Sequence, residues 1–153
     1  SKVMIYAVID TNVFVSAFIT HNFDSATARI FRYLFQRKIV ALYNEEILAE
    51  YEEVLSRKKF NLPKKDIYDL LYFIKNYGVH ESRMTYEQEL PDESDRVFLE
   101  ISLSREDSFL VTGNLKHYPK LPEVVTPAEF ISRFFISFST FSEKLIFFGF
   151  VSE

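Results

Sequence analysis

Four short strand-like stretches, at residues 3–9, 39–43, 107–111 and 124–125, alternate with stretches of helical periodicity, and that alternation leaves few folds open. The first two are continuous apolar runs rich in β-branched residues. Such runs suit strands buried on both faces of a sheet, which is the situation in a parallel sheet covered by helices. A repeated strand–helix–strand order predicts an α/β fold with a central, mainly parallel sheet and helices on both sides.

The helical stretches carry their own start signals. Residues 13–19 read as a short helix. Asp24 or Ser25 caps a second helix reaching about Arg37, with Ile30, Phe31, Leu34 and Phe35 on its apolar face. Asn44 caps a third, to about Arg57, with Glu45 and Glu46 in the turn where the helix dipole favours anions. Pro63 opens a fourth, to Tyr77, which Gly78 closes in the left-handed C′ position. Residues 79–86 read as extended. Pro91 breaks the chain before a helix that begins around Asp95 and reaches Ser104. Thr126-Pro127-Ala128-Glu129 is a capping box with proline at N1, opening a last helix through Phe130, Ile131, Phe134 and Phe135.

Polar oxygen donors recur where the strands end or the next helices begin: Asp10 and Asn12, Glu50, Asp92 and Asp95, and Thr112 and Asn114. Each has a structural explanation alone. Asp10 and Asn12 turn the chain, Glu50 sits on a solvated helix face, and Asp92 caps. One cap accounts for one acid, however, and does not require both Asp92 and Asp95. In a right-handed βαβ sheet the carboxyl ends of the strands lie along one edge, where open α/β folds bind ligands. Two carboxylates about 4 Å apart repel by about 4 kcal/mol at an effective dielectric of about 20. Several converging acids therefore call for protons or a cation. The chain has no cysteine, so a metal must take oxygen or imidazole donors, and Mg²⁺ or Mn²⁺ is expected. Such a site suits hydrolysis of phosphate esters.

Other chemistries find less support. There is no phosphate-cradling G-x-x-x-x-G-K-[ST] loop, and the chain has only 3 glycines. His21, His80 and His117 are scattered. His117 alone lies near the acids, where it either contacts phosphate or packs at the surface. The net charge of −4 does not advertise nucleic-acid binding, although a local basic rim is compatible with it. Arg29, Arg32, Lys58 and Lys59 are either that rim or ordinary solvated faces. With 153 residues, 48% apolar, the chain is one domain's worth. It has no signal peptide and no transmembrane run, so a cytoplasmic protein without membrane contact is the default expectation.

The stretches Val8-Ile9-Asp10-Thr11-Asn12, Glu45-Glu46-Ile47-Leu48-Ala49-Glu50-Tyr51, Pro91 to Leu99, Leu110-Val111-Thr112-Gly113-Asn114 and Thr126-Pro127-Ala128-Glu129-Phe130 occur together in this order. In this combination the chain resembles the PIN-domain ribonucleases, within the branch described as toxins of type II toxin–antitoxin systems. The resemblance covers about residues 4–133. It implies a three-layer α/β/α fold and metal-dependent hydrolysis of single-stranded RNA. It also implies Mg²⁺ or Mn²⁺ held by Asp10, Glu50, Asp95 and Asn114, with Asn12, Asp92 and Thr112 supporting the metal or the substrate; His117 joins that supporting set by its place three residues after Asn114. The family's fourth acid often follows the Thr-Gly pair. Here that position is Asn114, an uncharged ligand, which bears on whether one metal binds or two. An antitoxin partner and a homodimer belong to the same expectation.

Residues 1–133 are thus read as a PIN-like domain and 134–153 as a phenylalanine-rich extension, packed on the domain or at an interface. Two rival functions remain open. One is a non-catalytic PIN-like module that binds RNA or protein. The other is a small-molecule phosphohydrolase, against which the opening motif lacks a second aspartate at position 12 and no substrate cap is visible.

Overall fold

The computed structural model describes residues 4–136. The expected alternation is present. Strand β1 (Ile5–Ile9) leads into α1 (Thr11–Ile19) and α2 (Ala26–Phe35). Then follow β2 (Ile39–Tyr43), α3 (Glu45–Leu55), α4 (Lys64–Tyr77), β3 (Val79–His80), α5 (Arg96–Ser102), β4 (Ser108–Val111), β5 (Val124–Val125) and α6 (Pro127–Ile131). The strands form one five-stranded sheet in the order β3-β2-β1-β4-β5. Every pairing is parallel. Helices flank the sheet in α/β/α layers, and Ala7, Val8, Ile9, Leu42, Leu110 and Val111 are sealed between them.

The strand order fixes where a ligand would sit. The chain builds outward from β1 to β2 and β3, then returns to the other side of β1 for β4 and β5. The reversal falls between β1 and β4, and a crevice opens at such a switch point beyond the carboxyl ends of the strands. Ile9 pairs with Val111 and Val111 with Val125, so Asp10 and Thr112 leave adjacent strand ends side by side.

Local chemistry starts the helices where expected. Ser25 Oγ accepts from Ala28 N at 3.2 Å, Asn44 Oδ1 from Ile47 N at 2.9 Å, and Thr126 Oγ1 from Glu129 N at 3.1 Å. Each satisfies a backbone donor that the first helical turn leaves unpaired.

Three expectations are corrected. Gly78 is not left-handed, since its φ of −83° and ψ of −179° are extended. Glycine is required there by crowding: a Cβ would stand 2.5 Å from the Ile74 carbonyl and 2.6 Å from that of Ala41. The helix predicted from Asp95 to Ser104 is shorter. A 3-10 turn over Glu93–Asp95 precedes α5, and the hydroxyls of Ser102 and Ser104 take the carbonyls of Leu99 and Ile101, closing the helix at Ser102. Of residues 79–86, only Val79–His80 pairs as a strand.

The chain beyond β3 forms a strap pinned to α5. Arg83 Nε and Tyr86 N donate to the buried Glu100 carboxylate at 2.8 and 2.9 Å. The Arg96 guanidinium takes the carbonyls of Tyr86 and Gln88. This strap delivers Asp92 and Asp95 to the sheet edge. After α6 the helix continues as a π-helical turn over Ser132–Ile136, with Phe135 stacked on Tyr33 at 4.2 Å. From residue 137 the phenylalanine-rich extension lies outside the described residues.

Candidate active site

Asp10 occupies the N-cap position of α1, but its side chain makes no capping hydrogen bond. It reaches across the switch point instead. Three side chains donate to its Oδ2: Thr112 Oγ1 at 2.7 Å, Tyr118 Oη at 3.1 Å and Asn12 Nδ2 at 3.3 Å. None of these three bonds uses Oδ1. Asp10 is only 5% exposed, and burial pushes its pKa up against the opposing hydrogen bonds from Thr112 and Tyr118. A buried carboxylate would cost far more without those donors.

The loop after β4 is shaped around this acid. Asn12 Oδ1 accepts from Gly113 N at 3.1 Å, so the Asn12 amide bridges the two strand ends. A side chain at 113 would press on that amide, because a Cβ there would lie 3.3 Å from Asn12 Oδ1. Thr112, fully buried, also accepts from Asn114 N at 3.0 Å.

Asp95 ends the 3-10 turn without capping anything. Its carboxylate meets His117 Nδ1 at 3.0 Å. Its pKa is pushed up to about 6 by burial and by the charges of Asp10 and Asp92, against the opposing pull of His117. Glu50, on α3, is half-buried. Burial raises its pKa, and Glu53, Asp10 and Asp92 add to the rise while Arg57 opposes it. The charge of Asp10 thus bears on both Glu50 and Asp95.

The remaining expected residues divide. Asp92 accepts from both the backbone and the hydroxyl of Ser94, which hold it below the usual carboxylate range; it is a capping residue that also presses on Glu50 and Asp95. Asn114 is exposed, and no described side-chain hydrogen bond ties its amide to the acids. Arg29 donates to Tyr33 Oη, and Arg32 lies over the Phe23 ring at 3.6 Å, so both have local aromatic partners.

Two tyrosines were not anticipated. Tyr118 brings a buried hydroxyl to Asp10. Tyr51, fully buried against Phe14, donates its hydroxyl to the Ile9 carbonyl and holds the end of β1 from beneath. In the sequence Tyr51 reads as ordinary core and Tyr118 as the end of a short turn; the available signal for Tyr118 is its closeness to the Thr-Gly-Asn turn.

A family model described as PIN domain matches residues 6–116. The chain belongs to the PIN-domain family. The matched span holds Asp10, Asn12, Glu50, Asp92, Asp95, Thr112 and Asn114; His117 and Tyr118 follow directly after it. A comparison with curated proteins returned no significant match. PIN domains are nuclease-type folds that generally use divalent metal ions.

The chemistry of this PIN domain's donors fits such an ion. The donors are hard oxygens, which suit Mg²⁺ or Mn²⁺. Asp10, Glu50 and Asp95 are all shifted toward their neutral forms, first by burial and, at Glu50 and Asp95, also by the charges of Asp10 and Asp92, which a cation would offset. Among the described residues, no three acidic or histidine side chains are drawn into a finished metal cage. No described helix is long and apolar enough to cross a membrane.

Proposed function

We propose that the protein is a metal-dependent endoribonuclease acting on single-stranded RNA, with Asp10, Glu50 and Asp95 as the residues that hold Mg²⁺ or Mn²⁺. The observation that carries this reading is the pairing of Asp10 and Asp95 at the β1–β4 switch point, each disfavoured as a carboxylate by burial and, at Asp95, by the other's charge. When bound, a divalent cation lowers the proton affinity of water and offsets the charge that builds on a phosphodiester under attack.

The chain's own residues have separable roles in this account. Thr112, Asn12 and Tyr118 orient Asp10 through a single oxygen. His117 orients Asp95 and keeps its second ring nitrogen for solvent or substrate. Asp92 adds negative charge that strengthens cation attraction. Asn114, at the exposed rim, serves as a neutral oxygen donor to the cation or the RNA. The family resemblance further supports a toxin role in a toxin–antitoxin pair, acting in the cytoplasm, with an antitoxin partner and a homodimer as its associations. Residues 1–133 form the catalytic unit of this proposal.

The test is incubation of a mixed-sequence single-stranded RNA with purified protein in Mn²⁺, Mg²⁺ or EDTA, beside Asp10→Asn. Cutting that needs metal and vanishes in the variant is expected. Hydrolysis that persists in Asp10→Asn would sink the assignment. A second reading, a non-catalytic module binding RNA or protein, draws on the exposed, untied Asn114. It predicts RNA retention without cleavage and no calorimetric response to Mn²⁺.

A further inference from the structure

Among the described residues, Tyr118 is the one buried side chain hydrogen-bonded to the acids that none of the site roles expected from the sequence explains. It is 6% exposed and follows directly on the Leu115–His117 turn. Its hydroxyl donates to Asp10 Oδ2 at 3.1 Å, the atom that also takes Thr112 and Asn12. The preceding residue, His117, meets Asp95 at 3.0 Å. One short turn thus holds two acids from distant parts of the chain, while Asn114 before it remains exposed and untied.

A phenol is suited to this position. A carboxylate there would add a further charge to a cluster already short of cations. An apolar ring would leave Asp10 Oδ2 with one donor fewer in a site shielded from water. A tyrosine hydroxyl is protonated at neutral pH and so donates here. With Oδ2 occupied by three donors, the carboxylate is fixed in rotation and Oδ1 is the oxygen left by them.

We propose that Tyr118 is a positioning residue for the metal centre: its hydroxyl sets the orientation of the Asp10 carboxylate from the turn on which His117 holds Asp95, so that divalent-cation affinity depends on it. The proposal rests on the reading of Asp10 as a metal ligand. Partners that orient a metal-binding carboxylate typically affect metal affinity by about 10–100-fold.

The experiment is Mn²⁺ titration by calorimetry of the full chain as wild type, Tyr118→Phe and Ser108→Ala, with thermal unfolding in EDTA measured in parallel. Ser108 is the control, since its buried hydroxyl meets the backbone carbonyls of Ser102 and Arg105 at the amino end of β4, away from the acids. Expected is a Kd raised about tenfold in Tyr118→Phe. Ser108→Ala is expected to lower the melting temperature and leave the Kd within about twofold of wild type. A wild-type Kd in folded Tyr118→Phe overturns the proposal, whatever its melting temperature. If both variants weaken Mn²⁺ binding equally, the effect is general loosening and the proposal also fails. Should Tyr118→Phe unfold, the titration is repeated in trimethylamine N-oxide, which favours the compact state. Absence of Mn²⁺ binding by the wild type would instead end the nuclease reading on which the proposal stands.

Discussion

Replacing Asp95 by asparagine should stabilise the metal-free protein while removing its response to metal. The carboxyl of Asp95 is raised from 3.8 to about 6 by burial and by Asp10 and Asp92. An acid whose pKa is higher in the folded chain binds its proton more tightly there. Between about pH 4 and pH 6 the folded state keeps a proton that the unfolded state has lost, so stability falls as pH rises through that window. Above it the full penalty remains. A shift of about two units corresponds to about 3 kcal/mol as an upper bound. Partial access to water screens the repulsion and reduces this to about 1–2 kcal/mol. Asparagine keeps the size and a hydrogen-bonding partner for His117 but carries no charge. For a chain of this length each kcal/mol moves the melting temperature by about 2–4 °C, so a rise of about 2–8 °C is expected near pH 8 in EDTA. The assay is thermal unfolding by circular dichroism. The difference between variant and wild type should grow from about pH 4 to pH 6 and then level off. Mn²⁺ should raise the wild-type transition and leave Asp95→Asn unmoved. A variant less stable than wild type near pH 8 in EDTA would refute the reasoning, because the His117 contact would then outweigh the repulsion.

Other expectations follow from single contacts. Gly78→Ala should lower stability by about 1–3 kcal/mol in urea unfolding, because the new methyl meets two backbone carbonyls that cannot step aside. Glu100→Ala removes the buried partner of Arg83 and of Tyr86 N. It should cost about 2–3 kcal/mol, and hydrogen exchange should show lost protection at Tyr86, whose amide loses its acceptor, before the rest of the fold. Thr11 Oγ1 is buried with no hydrogen-bond partner among the described residues, so Thr11→Val should be neutral or stabilising by up to about 1 kcal/mol; a clear loss in thermal unfolding would mean that the hydroxyl is used.

Local pattern was enough for elements whose cause is local. The run Ile39–Tyr43 is a strand with the expected bounds because apolar β-branched continuity has no other good solution at that length. Ser25, Asn44 and Thr126 cap because the donor and acceptor lie within three residues of each other. Asp10 was ambiguous for the opposite reason. A capping aspartate and one that bonds across the sheet look alike in sequence, and the difference is made by Thr112 and Tyr118, more than a hundred residues away. Gly78 shows the same limit: the spacing suggested a left-handed cap, whereas the demand for glycine comes from the Ala41 carbonyl on another strand. Glu50 reads in sequence as a solvated helical glutamate, and the charges that single it out belong to Asp10 and Asp92, on other elements. The resemblance puts Asn114 at the place of the family's fourth acid, and the turn leaves it exposed.

The central claim is that the acids at the β1–β4 switch point form the metal centre. Crystals grown or soaked with Mn²⁺ and measured at a wavelength where manganese scatters anomalously test it directly. The account predicts an anomalous peak contacted by Asp10 and Asp95, with Glu50 completing the protein ligands, and no such peak in Asp10→Asn crystals treated identically. A well-occupied peak elsewhere, or an unaltered peak in Asp10→Asn, would contradict it.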